Sequence, residues 1–301
     1  MSRINPRQVE AFHKVILTGG ITQAANMMNI TQPAVSRLIK DFEYALNLKL
    51  FDRDGRGLEP REEALKLFRE VERIYLGLDH IARIADDIRQ SRNSVLRVGA
   101  VSALSALCTE SILPSLLRNN PELSLFMDVE STTSIIDMVL SNQYDVGFIY
   151  GRPTLKGLRA DLLGVSQAVA VMAIDHPLSQ QPKITLQDLT RYRAILPGRK
   201  TVMRERLAQL HSEADLTLFS PIETSLVQCC NLAAAGLGIA VVDIVTAKTS
   251  PSEIVMKPFE PLIEVAWLAI FPPQHGRSMV VEQLVEKMRE KLAMLERPAF
   301  N

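Results

Sequence analysis

The chain has 301 residues, 47% of them hydrophobic, and 34 Lys and Arg against 34 Asp and Glu, so its formal net charge is zero. That length suits two or three domains with a sizeable core, and the neutral balance excludes a protein held to nucleic acid by bulk positive charge. The start, MSRINPRQVE, has no apolar signal segment, and the longest apolar run, near Val265 to Phe271, is far short of a membrane span, so the expected location is the cytoplasm.

Residues 6–18 read as a first helix, with Val9, Phe12 and Ile16 on its packing face. Arg3 and Arg7 at its start suit either phosphate contact or solvated surface charge. From Ile21 the pattern is two short helices joined by a tight turn. Thr22 is expected to cap the first of them, with Ala24, Ala25 and Met28 facing inward and Asn29 and Ile30 making the turn. Thr31 caps the second, and Pro33 stands in its first turn, where the missing N–H costs nothing. Val35, Leu38, Ile39, Phe42 and Leu46 then form a buried stripe. The opposite face carries Gln32, Ser36, Arg37 and Lys40, with no carboxylate before Asp41. Such a face reaches base edges and phosphates when its helix lies in a major groove. Many helix pairs without that role share the pattern, so the motif alone leaves both readings open. Residues 1–60 hold eight Lys and Arg against six Asp and Glu, so the case for DNA rests on where the charges sit.

Residues 48–60 read as a β-wing anchored by Leu48, Leu50 and Leu58. At its tip, Arg53 and Arg56 suit a flanking minor groove or phosphate clamp, although Arg53 equally suits pairing with Asp52 or Asp54. Residues 61–90 form one long amphipathic helix, about 45 Å at 1.5 Å per residue. Leu67, Val71, Ile74, Leu78, Ile81, Ala85 and Ile88 alternate four and three apart, a heptad seam suited to a partner helix. A second stripe, Phe68, Tyr75 and Ala82, suits contact with a DNA-binding head. The polar stretch around Gln90 to Asn93 marks a domain boundary.

Beyond it strand and helix alternate, the signature of an α/β domain with largely parallel sheets. Strands are expected at 95–101, 123–130, 144–150, 162–174, 193–197, 216–220 and 239–243, helices at 105–119, 133–142, 202–213 and 225–236, extended chain over 254–271 and a last helix over 278–296. The amount of α/β structure predicts two lobes, with the chain crossing near Gly164 and again near Glu264. Cys108, Cys229 and Cys230 show no metal spacing and no disulfide framework. The five histidines, His13, His80, His176, His211 and His275, show no ligand spacing, and no nucleophile elbow occurs. Gly236 and Gly238 follow a helix and precede a strand, the reverse of a dinucleotide site. The expectation is therefore no enzyme, no cofactor and no metal.

Residues Asn5 to Arg53 resemble the N-terminal domain of the LysR-type transcriptional regulators. The matches are an early aromatic helix with Phe12, the pair Ala24-Ala25, the run Thr31-Gln32-Pro33-Ala34-Val35-Ser36, and Leu50-Phe51-Asp52-Arg53. The likeness continues at lower identity over nearly the whole chain, including His176-Pro177-Leu178 and the run from Ala235 to Val242. It implies an α/β protein overall, with an N-terminal all-α winged helix-turn-helix at 1–60, a linker and dimerisation helix at 61–92, and a two-lobed effector domain similar to periplasmic binding proteins at 93–301. Lobe I would comprise about 93–163 and 265–301, lobe II about 164–264. The implied DNA-binding residues are Thr22, Thr31, Gln32, Pro33, Ser36, Arg37, Lys40, Arg53 and Arg56. In the family the cleft between the lobes holds a small molecule, and hydroxyl residues cluster at the matching places here. The implied effector residues are Ser102, Ala103, Thr132, Thr133, Ser134, Thr201, Val202, Thr224 and Ser225. Helix N-capping accounts for at least one hydroxyl in each group; helix N-termini also bind carboxylates. Glu130 and Glu223 are candidates for a ligand's amino end. Within the family the chain looks most like regulators of opine and basic amino-acid metabolism, which implies an amino-acid-like, carboxylate-bearing effector, double-stranded DNA as partner, and a homodimer or homotetramer. The alternatives are a cytoplasmic solute-binding protein and an enzyme.

Overall fold

A computed structural model describes residues 4–54, 57–89, 95–151, 155, 157–199, 201–218, 221–273 and 276–295. The chain forms two compact units divided between Asp86 and Asp87.

The first unit starts with α1 (Pro6–Thr18), held by a capping box in which the Asn5 and Gln8 side chains each accept from the other's end of the turn. Gly19, at φ 73°, ends it in the left-handed region that a side chain disfavours. α2 (Ile21–Met28) follows, then α3 (Gln32–Leu46), and asparagines at 29 and 47 adopt the left-handed C-cap after each. Thr22 does not cap α2: the N-cap is Gly20, and Thr22 lies exposed inside the first turn. Thr31 holds the N-cap position of α3, but its hydroxyl makes no capping bond. The strands β1 (Phe51–Asp54) and β2 (Gly57–Pro60) pair antiparallel as the wing. Glu43 secures this hairpin to α3, its carboxylate accepting from the amides of Leu50 at 2.7 Å and Phe51 at 3.1 Å. Leu50 is fully buried, whereas Leu48 is exposed and anchors nothing.

Phe12 is the hub of this core, with ring centroids 5.4 Å from Phe42 and 6.0 Å from Phe51. α4 (Glu62–Arg89) packs its first half on the same core. Val71 is buried, and Leu67, Phe68 and Tyr75 are partly so. His13 of α1 stacks against Tyr75 at 3.9 Å and Phe68 at 5.5 Å, and its Nε2 lies 3.1 Å from Glu72. The expected seam therefore divides. Leu67 and Val71 serve the helix's own head, while Ile74 (59% exposed), Leu78 (55%) and Ile81 (65%) face outward. Ala82 and Ala85 are also exposed, and the side chain of Ile88 lies outside the described residues.

The second unit is built on one extended sheet. Its first part runs β3 (Val95–Ala100), α5 (Ser102–Leu107), α6 (Leu113–Asn119), β4 (Ser124–Val129), α7 (Thr132–Leu140) and β5 (Val146–Tyr150). The single helix expected over 105–119 begins earlier, and α5 joins α6 through a π-helical turn at Cys108–Ile112. Pro114, at the start of α6, has no N–H to continue an α-helical ladder there. Next come β6 (Arg159–Met172), β7 (Ile184–Thr185), α8 (Asp188–Arg191), β8 (Ala194–Pro197), α9 (Val202–Glu213), β9 (Ile222–Thr224), α10 (Leu226–Ala234), β10 (Ile239–Asp243) and α11 (Ile244–Thr249). β11 (Val255–Glu260), β12 (Glu264–Phe271) and α12 (Met279–Leu295) finish the chain. The strand expected at 216–220 is absent from 216–218: Leu216 and Leu218 pack against the core without sheet pairing, and β9 begins at Ile222.

The strand order is β4-β3-β5-β12-β6-β10-β8-β9. β3, β4 and β5 are mutually parallel, as are β10, β8 and β9. The two antiparallel strands β6 and β12 lie between these groups. β6 pairs β12 from Arg159 to Gln167 and pairs β10 and β11 from Ala168 to Met172. The hand-over between the halves thus falls at Gln167/Ala168 rather than at Gly164, which sits opposite Trp267 beside a bulge. The Ala168 amide donates to Ile263, where β11 gives way to β12. Trp267, fully buried, donates its indole N–H to Ser166 at 2.9 Å.

Candidate functional site

Two places offer chemistry. The first is the outer face of α3. Gln32, Pro33, Arg37 and Lys40 are exposed there, Ser36 is half-buried, and Thr22 and Thr31 are exposed on the preceding turns. Arg37 has an 86% exposed side chain, and its ionic contact with Asp41 at 3.9 Å is too long and too wet to hold it. The Arg53 side chain and the whole of Arg56 lie outside the described residues. Asp52 is engaged by Lys49 at 2.5 Å and by Arg61 at 3.7 Å, and the Lys49 hydrogen bond holds its carboxyl below the usual range.

The second is a cavity of about 860 Å³ in the second unit, at the carboxyl ends of parallel strands. That is where open α/β sheets place their ligands, because each strand-to-helix turn there points helix N–H groups into the crevice. Ser102, Thr132 and Thr133 border it from the β3–α5 and β4–α7 turns. Thr201 and Val202 border it from the start of α9, and Thr224 and Ser225 from the start of α10. Ala103 and Ser134 do not line it. Ala103 is buried in the core, and Ser134 donates its amide to the Ser131 hydroxyl.

The hydroxyls there have unequal freedom. Ser131, Thr201 and Ser225 each accept from the amide three residues ahead, as N-caps, and Thr201 also donates to the Gly198 carbonyl at 2.8 Å. Thr133 is exposed at the rim, and the buried Thr132 Oγ1 has no hydrogen-bond partner among the described residues. The glutamates differ too. Glu223 is clasped by Arg199 at 2.9 Å and Arg204 at 3.1 Å, and those hydrogen bonds, Arg199's first, hold its carboxyl below the usual range. Glu130 borders the cavity from the turn between β4 and α7. Sequence reasoning missed Tyr150, Glu205 and Arg206, which also line it. Tyr150 ends β5 in an unbroken buried run, so nothing in the local pattern separates it from core; burial and, less strongly, Asp243 push its phenol up to about 12. Glu205 and Arg206 read as the solvated side of an amphipathic helix until its packing is known.

No cluster of metal-ligating side chains occurs among the described residues, and no described helix is long and apolar enough to cross a membrane. The three thiols are buried, and burial pushes each up to about 12. They are thus neutral and shielded near neutral pH, where attack requires thiolate. The native protein should release no measurable thiol signal with an aromatic disulfide reagent at pH 8, and all three should react after denaturation. Rapid labelling of the native chain would show that at least one cysteine is open to redox chemistry.

Residues 6–65 match the family model described as bacterial regulatory helix-turn-helix protein, lysR family, and residues 89–293 match the LysR substrate binding domain. The chain is 29% identical over 97% of its length to the regulatory protein NocR of Agrobacterium tumefaciens, covering 98% of that protein. It is 32% identical to the octopine catabolism/uptake operon regulatory protein OccR of Rhizobium meliloti, with 93% of each chain covered. It is 30% identical to the transcriptional activator protein LysR of Escherichia coli, over 94% of this chain and 91% of that one. Among solved structures, CbnR, a LysR family transcriptional regulator, superimposes with a TM-score of 0.60 at 16% identity, covering 95% of this chain and 98% of its own. Full-length BenM gives 0.57 at 20% identity, covering 97% and 99%; both share the fold.

Proposed function

We propose, from the premise that this chain belongs to the LysR family of transcriptional regulators, that it controls metabolic genes in response to an amino-acid or opine-like effector bound in the 860 Å³ cavity. The observation that carries the reading is the convergence of Ser102, Thr132, Thr133, Thr201, Val202, Thr224 and Ser225, from four separate strand-to-helix turns, on that one cavity. Carboxylates suit the helix starts in this lining, because helix N–H groups and hydroxyls stabilise negative charge there. The octopine-related function of one relative supports an opine-like choice. The domain plan that goes with it is a DNA-binding head at 1–60, a linker at 61–92 and an effector domain at 93–301, with lobe I at about 93–163 and 265–301 and lobe II between. The protein acts in the cytoplasm and has no catalytic role. A shift assay on DNA upstream of its own gene, with and without amino acids and opines, tests the whole reading; absence of any sequence-selective shift would overturn it.

In the head, Gln32, Ser36 and Arg37 read base edges, Lys40, Thr22 and Thr31 sit near phosphates, Pro33 sets the approach of α3, and Arg53 and Arg56 of the wing contact the flanking groove. Replacing Arg37 by Ala should cost about 1–3 kcal/mol on the specific site if it reads a guanine. Binding curves on specific and random DNA separate the roles: equal loss on both marks a phosphate contact, and no loss on either removes Arg37 from the interface.

The outward row Ile74, Leu78 and Ile81 on α4 fits a second copy of the same helix, since an apolar stripe at heptad spacing is covered best by its like. Tetramers are the next level of assembly. Leu78→Glu would bring two like charges together in that apolar contact. Sedimentation should then find monomers with weakened DNA binding; an unchanged dimer would assign α4 to its own chain alone.

Thr133→Val tests the cavity without disturbing a cap, whereas Thr201→Val also removes the N-cap of α9 at a cost of about 1 kcal/mol. Loss of a hydrogen bond to a charged ligand group is worth about 1.5–3 kcal/mol, so effector affinity should fall tenfold or more while effector-free DNA binding persists. Wild-type affinity by calorimetric titration would move the ligand elsewhere.

A further inference from the structure

The end of β5 and the start of α9 belong to opposite halves of the sheet, since β5 pairs with β3 and α9 follows β8. They meet where Gly151 touches Val202. Gly151 holds a left-handed backbone, φ 100°, and a Cβ placed on it would stand 2.9 Å from the Val202 Cγ2, inside contact distance. Only a glycine lets α9 come this near. One side of the contact is tied down: the Gly151 amide donates to the Ala266 carbonyl of β12 at 2.8 Å, and the buried Tyr150 ring lies 6.0 Å from that of Trp267 on the same strand. On the other side, burial and then Asp243 push the Tyr150 phenol up to about 12, and Thr201 and the Val202 backbone act against them. The contact has hollows on both flanks. Val202 borders the 860 Å³ cavity beside Tyr150, and borders a second cavity of about 350 Å³ beside Gly151. Its side chain therefore has space to shift that a close-packed interior would deny.

We propose that Tyr150 and Gly151, seated on the start of α9, form a latch that holds the two halves of the second unit at one angle, and that turning one half on the other must first break it. β6 and β12 tie the halves together, and the change of pairing partner at Gln167 and Ala168 leaves rotation there as the soft direction. Gly151 is bonded to Ala266, whose neighbour Val265 pairs with Ser166, so the latch stands close to that hand-over. A small slide of Val202 off Gly151 then corresponds to a larger displacement at the mouth of the crevice. A few atoms in van der Waals contact thus set the width of the large cavity. Both partners belong to this chain, so the latch is closed before any ligand enters and acts whichever molecule binds.

The test is a distance measurement on the full, ligand-free chain. Spin labels on cysteines introduced at the exposed Glu122 and Gln181, one in each half, report the angle by pulsed paramagnetic resonance. The native thiols are buried, and dilution with unlabelled chain removes distances between copies. The unaltered latch should give one narrow distance. Val202→Ala removes the contact without straining the backbone, and Tyr150→Phe keeps the ring and loses the hydroxyl; each should broaden the distribution toward longer separations. A second arm needs no label and holds even where one of those variants fails to fold. A Cβ on Gly151 would lie 3.5 Å from the Val202 Cβ, at the short end of the ~3.5–4.5 Å span of a disulfide. The chain with Gly151→Cys and Val202→Cys should therefore close that bond under mild oxidation, and adding Tyr150→Phe should slow closure several-fold. A broad distance in the unaltered latch, an unchanged distribution in either folded variant, or a disulfide that fails to close or closes as fast without the phenol would overturn the latch. Each of these outcomes leaves the effector assignment untouched.

Discussion

The effector unit depends on two antiparallel strands that both halves of its sheet share. β6 is long enough to pair with β12 along one half and with β10 and β11 along the other, and the chain returns through Ile263 beside the same hand-over. Each half keeps its own parallel strands, whose carboxyl ends open on the common crevice. Without shared strands the helix starts at Ser102, Thr132, Thr201 and Ser225 would belong to separate sites. With them, four sets of backbone donors border one cavity.

The same residues carry structure and recognition there. A hydroxyl at a helix start first satisfies its own helix, as Ser131, Thr201 and Ser225 do. What remains for a ligand is the donor or hydroxyl that the cap leaves over, so Thr133 and Thr132 matter more than their neighbours at the cap. Ion pairing sorts the carboxylates in the same way: Arg199 and Arg204 occupy Glu223 and leave Glu130 and Glu205 available.

In the head, His13 does for α4 what a larger apolar residue does elsewhere in a core. Stacked by Tyr75 and Phe68 and bonded to Glu72, it fixes the first half of the long helix to α1. The helix is then apolar on two fronts, one used within the unit and one, at Ile74, Leu78 and Ile81, left outward.

Local chemistry made much of this legible in the residues alone. Pro33 at a helix start, Asn29 after a helix and the Val35-to-Leu46 stripe act over a turn or two of chain, and they mark α2, the turn and α3 without reference to distant partners. Helix α9 at 202–213 and strand β10 at 239–243 were equally readable, since periodicity and flanking loops agree there. The tertiary structure decided everything that depends on who meets whom. Leu48 has the composition of an anchor but no core beside it, and Leu216 and Leu218 alternate like a strand but find no pairing edge. Tyr150 is indistinguishable in sequence from its buried neighbours on β5 until the opposite half of the sheet makes its end a cavity wall. Which glutamate is free follows from arginines 19 and 24 residues away in sequence. Such pairings are set by packing between elements, and no periodicity within one element encodes them.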